Sequence, residues 1–217
     1  MKFVRRAKGN TDIIVSNTAR ERLRSMNIVE YERMAHYEKE YWWHIGRLEI
    51  IKSYLGIATK SLPVKKTKIL NIGCGTGGTI DTLEQYGKVT NVDVSDEAIK
   101  FMKQHGYKNI KKVSGIKLPY AANTFDIVGA FDVLEHIKSH EAALKEWRRV
   151  LKPGGAIVLT VPAYKWLWSA HDTSLHHFRR YTTTQLADMA DDIKLFPMKL
   201  SYAIVFSLPL VAGFRFL

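Results

Sequence analysis

The sequence of 217 residues contains a single cysteine, Cys74. One thiol excludes an internal disulfide framework and a cage of thiolate metal ligands, and it fits a reducing compartment. The first residues are basic and then polar, and they lack the apolar core of a secretory signal. We therefore expect a cytoplasmic protein.

Acidic residues are also scarce, because 21 Asp and Glu stand against 33 Lys and Arg and leave a net charge of +12. This balance favours anionic partners such as nucleic acid, an anionic membrane face or a phosphorylated substrate, although a solvated basic surface explains it equally well. Residues 1–27 carry seven of the basic side chains without regular apolar spacing, and we interpret them as a loosely ordered basic arm. Peripheral contact with the inner membrane face is one expectation from this charge.

Long apolar runs are missing as well. The stretch 202–217 is shorter than the roughly 20 residues that a membrane-spanning helix needs, and Pro209 and Arg215 interrupt it. We interpret the C-terminal part of the chain as a strand near Leu195–Val205, followed by a core or interfacial helix. Because 46% of the residues are hydrophobic, the chain has enough apolar material for a folded domain.

Short apolar runs alternate with amphipathic stretches from residue 61 onwards, after helices expected between Val29 and Leu55 with a break near 41–46. Such alternation predicts an α/β fold, a doubly wound and mostly parallel sheet with right-handed crossovers and a helical N-terminal extension. Runs such as Ile127–Phe131 lack a polar alternation, which is typical of strands covered on both faces. The predicted strands are Lys68–Ile72, Lys88–Val94, Asn109–Val113, Phe125–Phe131 and Ala156–Val161, and the predicted helices are Gly78–Tyr86, Asp96–His105, Ser139–Leu151 and one that starts at Thr182 or Thr183.

The most informative local motif is a glycine-rich loop between the first strand and the next helix, Ile69-Leu-Asn-Ile-Gly-Cys-Gly-Thr-Gly-Gly78. Glycines allow a sharp turn and let a ligand approach the backbone, and the helix start offers free N–H groups. Asp93 follows 20 residues after Gly73 at the end of the next strand, where a carboxylate can accept hydrogen bonds from ribose hydroxyls. Gly73, Gly75 and Gly78 also satisfy the G-x-G-x-x-G dinucleotide fingerprint, so this loop alone leaves the cofactor open.

Three further segments follow in order: Leu118-Pro-Tyr with Asn123-Thr-Phe-Asp-Ile-Val128, Asp132-Val-Leu-Glu-His-Ile137, and Val150-Leu-Lys-Pro-Gly-Gly155. With the glycine loop and Asp93, over about residues 67–162, they resemble the class I methyltransferases of type 11 or 12, a small-molecule branch. The segments His36 to Arg47 and Val161 to Thr182 are similar to a subgroup often found with glycosyltransferases of surface-polysaccharide and lipid-linked sugar pathways. The resemblance implies S-adenosylmethionine as the cofactor and O- or C-methylation of a small, lipid-linked or sugar-linked acceptor.

The resemblance also assigns regions and residues. Residues 28–60 would form a lid over cofactor and substrate, 61–217 the catalytic core, and 163–181 an insertion on the substrate side; Tyr41, Trp42 and Trp166 are expected among the lid's aromatic residues. The expected cofactor-binding residues are Asn71, Gly73, Cys74, Gly75, Gly77, Asp93, Val94, Ile116, Phe131, Trp43 and Arg47. The expected substrate-binding residues are Tyr164, Trp168, Arg179, Arg180 and Tyr181.

Methyl transfer needs alignment, exclusion of water and sometimes removal of a proton. Imidazole titrates near neutral pH, so His136, His171 and His177 are candidate bases, with Asp172 as an acid that could orient its neighbour His171. No HExxH pattern or other standard ligand spacing occurs, and we expect no metal. RNA methylation, suggested by the charge and the basic arm, and a cofactor-binding protein without activity are the alternatives.

Two departures from the family pattern stand out. Ser114-Gly115-Ile116 replaces an acidic residue that the family usually has after the third strand, so adenine is expected to contact main-chain groups and apolar side chains. No seventh strand is evident after Val205. We therefore expect an altered or shortened far edge of the sheet.

Overall fold

The structure is a computed structural model that describes residues 28–203, 205, 209 and 213. The predicted basic arm and most of the apolar C-terminal stretch lie outside these residues. The described part contains seven α-helices and five β-strands. In chain order these are α1 (Ile28–Glu40), α2 (Trp42–Ala58), β1 (Lys68–Ile72), α3 (Ile80–Glu84), β2 (Lys88–Asp93), α4 (Asp96–Gln104), β3 (Ile110–Lys112), β4 (Phe125–Phe131), α5 (His140–Val150), β5 (Leu151–Thr160), α6 (Ala170–Ser174) and α7 (Thr183–Asp192).

The five strands form one parallel sheet in the order β3-β2-β1-β4-β5. Helices cover both faces, because α5 and α7 pack on one side and α2 and α3 on the other. Neighbouring residues of one strand, such as Ile69 and Leu70, therefore enter different apolar cores, and both are fully buried. This arrangement confirms the predicted doubly wound sheet and explains why its strands lack a polar face.

The starts of two helices and the break between the N-terminal helices have clear local causes. The side chain of Ser95 accepts a hydrogen bond from the backbone of Ala98 at the start of α4, and Thr182 caps α7 with Gln185 in a reciprocal capping box. The expected break in the N-terminal helices falls at Tyr41 alone, whose extended backbone separates α1 from α2. No helix in the described residues has the length and apolar character needed to cross a bilayer.

The predicted strand near Leu195–Val205 is wrong for residues 195–203, which have no regular secondary structure. Apolar composition favours a strand only where a neighbouring strand is available for pairing. Phe196, Met198 and Leu200 are instead exposed. Within the described residues, the outer edge of β5 has no strand beside it.

The helix α5 ends at Val150, directly before the segment Lys152-Pro-Gly-Gly155, which belongs to β5. Proline is tolerated here because β5 is an edge strand and needs no N–H on its outer side. The pairing with β4 is irregular between Phe125 and Ile127, and Gly154 adopts a positive φ of 76°. Lys152 donates a hydrogen bond from Nζ to Asp126 Oδ1 at 2.8 Å, which ties this segment to the neighbouring strand.

Replacing Asp126 with Asn tests this link. Burial raises the pKa of Asp126, but the hydrogen bonds from Lys152 and from the backbone N–H of Lys68 outweigh it and hold the pKa below its ordinary value. We expect Asp126→Asn to lower the free energy of unfolding by about 1 kcal/mol at pH 7. A carboxylate with a lowered folded pKa stabilises above its unfolded pKa of about 3.9, and this contribution disappears as pH falls through the folded pKa.

Urea unfolding of both proteins between neutral and acidic pH measures the effect. The difference between wild type and variant should shrink as the pH falls below about 4. Asp81→Asn, at an exposed position, serves as the matched control. A difference that stays constant down to the acid transition would contradict the assignment.

Candidate active site

The glycine loop and Asp93 lie together at the carboxyl ends of β1 and β2. Since these strands are parallel neighbours, their ends meet at one edge of the sheet. The backbone N–H of Gly75 donates to Asp93 Oδ2 at 2.9 Å, and the N–H of Ser95 donates to Asp93 Oδ1 at 2.9 Å. One carboxylate therefore holds the loop after β1 and the start of the turn after β2.

Glycine is required in this loop for two physical reasons. Gly73, Gly75 and Gly77 all have positive φ, between 51° and 89°. A Cβ on Gly73 would overlap the side chain of Val133, and one on Gly77 would lie 2.8 Å from Met102 Sδ. At Gly75 only Met34 Cε, 4.0 Å away, would come near, so the backbone there is open to a ligand.

Cys74 packs beneath this loop with Ile80 and Phe101 and is 4% exposed. Burial raises the pKa of its thiol to about 12. A thiol with this pKa is protonated at neutral pH and is a poor nucleophile. Cys74 therefore acts as a packing residue of this loop.

A large cavity of about 1670 Å³ opens above the loop. Gly73, Gly75 and Thr76 form one wall, and α1 and α2 contribute Met34, Glu38, Trp43 and Arg47 from the opposite side. Glu38 accepts a hydrogen bond from Thr76 Oγ1, and Arg47 forms an ion pair with Asp132 at the end of β4. Glu38 of α1 and Arg47 of α2 thus join the N-terminal helices to the loops at the edge of the sheet by polar contacts.

The same cavity is also lined by a polar cluster, Glu135, His136 and His177. Glu135 and His136 belong to the turn that follows β4, while His177 follows α6. The two segments are joined because the N–H of Phe178 donates to the carbonyl of Glu135 at 2.9 Å. The imidazole rings of His136 and His177 meet edge to face with 4.6 Å between their centroids.

Asp172 is 0% exposed. Together with its hydrogen-bond partners Arg180 and His177 it forms a buried centre next to this cluster. Its carboxylate accepts hydrogen bonds from Arg180 Nε at 2.7 Å and Nη2 at 2.9 Å, from His177 Nδ1 at 3.0 Å and from the N–H of Ser169 at 2.9 Å. Burial alone would raise the pKa of Asp172, but these donors hold it far below its ordinary value. His177 therefore presents its other ring nitrogen, Nε2, away from Asp172.

Within the cluster, the pKa values of Glu135 and His136 are shifted in opposite directions. Burial, with a smaller effect of Asp132, raises the pKa of Glu135 to about 8, so this carboxyl favours its neutral form near pH 7. Desolvation and the neighbouring His177 lower the pKa of His136 to about 4, so this imidazole is neutral at the same pH. A neutral imidazole has one ring nitrogen free to accept a proton or bind a cation.

Most expected cofactor residues border this cavity, but four do not. Those that line it are Gly73, Cys74, Gly75, Val94, Phe131, Trp43 and Arg47. Asp93 does not line the cavity, but it is hydrogen-bonded to the backbone of Gly75 and Ser95, which do. Asn71 is buried inside the sheet and donates to Asn91 Oδ1 at 3.0 Å. Gly77 faces Met102, and Ile116 is exposed outside the cavity wall.

Some of the expected catalytic and substrate-binding residues line the cavity, and others do not. His136, His171, His177, Tyr164 and Arg180 line the cavity. Asp172 pairs with His177 and Arg180, not with its neighbour His171 as suggested by the sequence. Trp168, Arg179 and Tyr181 lie outside the lining; Arg179 binds the carbonyls of Ile137 and Lys138, and Tyr181 is 3% exposed with its hydroxyl 3.1 Å from His140 Nδ1.

Sequence reasoning missed Glu135 and Asp132. Both directly follow β4, and side chains at the carboxyl ends of parallel strands are placed to contact ligands, so this position was the available signal. Asp132 has a positive φ of 56° and also accepts a hydrogen bond from Thr160 Oγ1 at 2.9 Å. Glu38 and Thr76 were missed too, because their contact joins residues 38 positions apart.

Comparisons with known proteins agree with this geometry. Residues 70–159 match a family described as a methyltransferase domain. A demethylmenaquinone methyltransferase of Staphylococcus aureus is 34% identical over 127 residues, which are 52% of this chain and 53% of that protein. The chain thus spans about half the length of the curated relatives it matches.

Solved structures share the fold. One is a SAM dependent methyltransferase from Aquifex aeolicus, with a TM-score of 0.57, 16% identity and coverage of 78% of this chain and 89% of that one. Another is a putative sarcosine dimethylglycine methyltransferase from Galdieria sulphuraria, with a TM-score of 0.57, 19% identity and coverage of 72% and 63%. At these identities the likeness concerns the fold alone.

Proposed function

We propose that this protein is an S-adenosylmethionine-dependent methyltransferase that transfers a methyl group to a small-molecule, lipid-linked or sugar-linked acceptor. The match of residues 70–159 to a methyltransferase domain supports this proposal. The observation that carries the proposal is the contact between the glycine loop and Asp93 at the mouth of a cavity that continues to the Glu135–His136–His177 cluster. When bound, S-adenosylmethionine supplies a sulfonium-activated methyl group.

The loop side of the cavity fits this cofactor. Each Asp93 oxygen accepts one backbone N–H and keeps a lone pair for a ribose hydroxyl. The open backbone at Gly75 offers a cradle for the methionine part, since a Cβ there would project into free space beside Met34. A nicotinamide dinucleotide, which the G-x-G-x-x-G pattern left open, has no support from the family match.

The acceptor's reacting atom would face the polar cluster. His177 is positioned by Asp172, and its Nε2 is available to take a proton from an acceptor hydroxyl or to hold that oxygen in place. The lining of the cavity also includes apolar side chains, among them Ile50, Ile57, Leu186 and Met198. An apolar wall of this kind supports an acceptor with a lipid part, and the S. aureus relative is named for demethylmenaquinone, itself a small molecule.

Methyl transfer from labelled S-adenosylmethionine to candidate lipid-linked sugars, free glycans and quinones tests the proposal. We expect His177→Ala to lower kcat by about 100-fold while the affinity for S-adenosylmethionine stays unchanged, because His177 lies at the acceptor end of the cavity. His105→Ala, which removes a partly exposed histidine paired with Glu32, is the matched control. Failure to methylate any of these acceptors, or transfer to RNA only, would count against the proposed substrate class.

A further inference from the structure

We propose that Glu135, His136 and His177 form a binding site for one divalent transition-metal ion. Each of the three side chains offers one ligand atom, and these atoms all lie within 4.8 Å of one another. Two imidazoles and one carboxylate are a donor set that suits Zn²⁺ and other first-row metals such as Fe²⁺. Glu135 and His136 are adjacent, but His177 follows 41 residues after His136, so no short spacing motif could have indicated all three ligands.

His177 has the outer partner that a metal-binding histidine needs. It donates from Nδ1 to Asp172 at 3.0 Å. A ligating imidazole almost always donates its second N–H to a carboxylate or a carbonyl, which sets its tautomer and orientation. One ring nitrogen of His177 is engaged in this way, and its Nε2 remains for a metal ion.

The carboxyl group of Glu135 provides a second, independent observation in favour of the metal site. Glu135 is 1% exposed, and its Oε2 has no hydrogen-bond partner among the described residues. A buried carboxyl oxygen without a partner is costly, and a coordinated cation would displace the carboxyl proton and satisfy this oxygen. Other buried acids of this domain are paired, as Asp172 is with Arg180, so the orphaned oxygen of Glu135 marks a place where a positive ligand fits.

Three protein ligands leave coordination positions open towards the cavity. Resting on the proposed function, we infer that an acceptor hydroxyl would occupy one of them. There its O–H bond would break and the proton would pass to water, because His177 Nε2, once it binds the metal, can no longer take that proton. The resulting oxygen anion would stay bound to the metal as the methyl acceptor. The metal would thus serve O-methylation, and no redox change is involved.

Metal-stripped full-length protein should be titrated with ZnCl₂ by calorimetry and with Co²⁺ by visible absorption. We expect one tightly bound ion per chain and the d–d bands of a low-coordinate Co²⁺ site. His136→Ala, His177→Ala and Glu135→Gln should each weaken Zn²⁺ binding more than Asp172→Asn, whose loss as an outer partner should cost about 10- to 100-fold. His36→Ala, which removes an exposed histidine beside Glu40, should leave the affinity unchanged and so controls for surface binding.

The absence of stoichiometric binding, or binding that survives all three ligand substitutions, would overturn the metal site. S-adenosylmethionine binding is measured on the same metal-free protein. If the cofactor binds and zinc does not, only this inference fails; if zinc binds and no methyl transfer is found, the proposed function fails and the metal site stands. Circular dichroism of each variant separates loss of the site from loss of the fold.

Discussion

Asp93→Asn should weaken the binding of S-adenosylmethionine by about 100-fold, equivalent to about 3 kcal/mol for two lost charge-assisted hydrogen bonds. The carboxylate accepts the N–H groups of Gly75 and Ser95, and each of its oxygens keeps a lone pair for a further donor. An amide cannot replace it, because its NH₂ group would face one of these backbone donors. The variant therefore loses both the loop geometry and the ribose acceptor.

Calorimetry with S-adenosylmethionine measures the effect, and thermal unfolding checks that the variant is folded. Asp81→Asn is the matched control, since Asp81 is exposed on α3 and lies outside the cavity. Affinities of the two variants that agree within about threefold would remove the main support for cofactor binding at this loop. The proposed methylation would then lose its premise.

Asp172→Ala should lower the free energy of unfolding by about 3–5 kcal/mol, because it leaves the guanidinium of Arg180 and the ring of His177 without their buried acceptor. The Asp172 side chain is wholly buried, and those of Arg180 and His177 are 11% and 8% exposed. This environment makes an unpaired charge expensive. Removing the charge as well, in the double variant Asp172→Ala/Arg180→Met, should recover part of the loss.

Urea unfolding at neutral pH provides the measurement. The surface pair of Glu49 and Lys52, with side chains 63% and 35% exposed, provides the comparison, and Glu49→Gln should cost no more than about 1 kcal/mol. An equal cost for Asp172→Ala and Glu49→Gln would mean that the buried centre does not support the substrate-side segment. It would also leave His177 without its positioning residue.

Local periodicity was sufficient to predict much of the fold. The bounds of β1 and β4 agree with the predicted strands Lys68–Ile72 and Phe125–Phe131, because a run of apolar residues between glycine- or polar-rich turns has few other ways to be buried. The contact of Asp93 with the glycine loop could also be anticipated. Two successive parallel strands end at one edge of the sheet, so the residues that follow them meet there.

Other predictions depended on long-range contacts and could not be made reliably. Residues 195–203 form no strand although they are apolar, and Lys152–Gly155 extend β5 because Asp126 of the adjacent strand holds Lys152. His171 and Asp172 were considered as a pair from their adjacency. Successive residues on a helix point in different directions, and Asp172 of α6 contacts His177 and Arg180 instead.

The sequence by itself determined the parallel sheet, the glycine loop and the acid at the end of β2, because each depends on periodicity and chain order over a few residues. Only the tertiary structure decided which side chains form the polar cluster that lines the cavity. Glu135 and His136 meet His177 because the segment after α6 binds the turn after β4 through Phe178 N–H and the Asp172 centre. Such contacts between distant segments depend on how the elements pack, and residue spacing does not encode that packing directly.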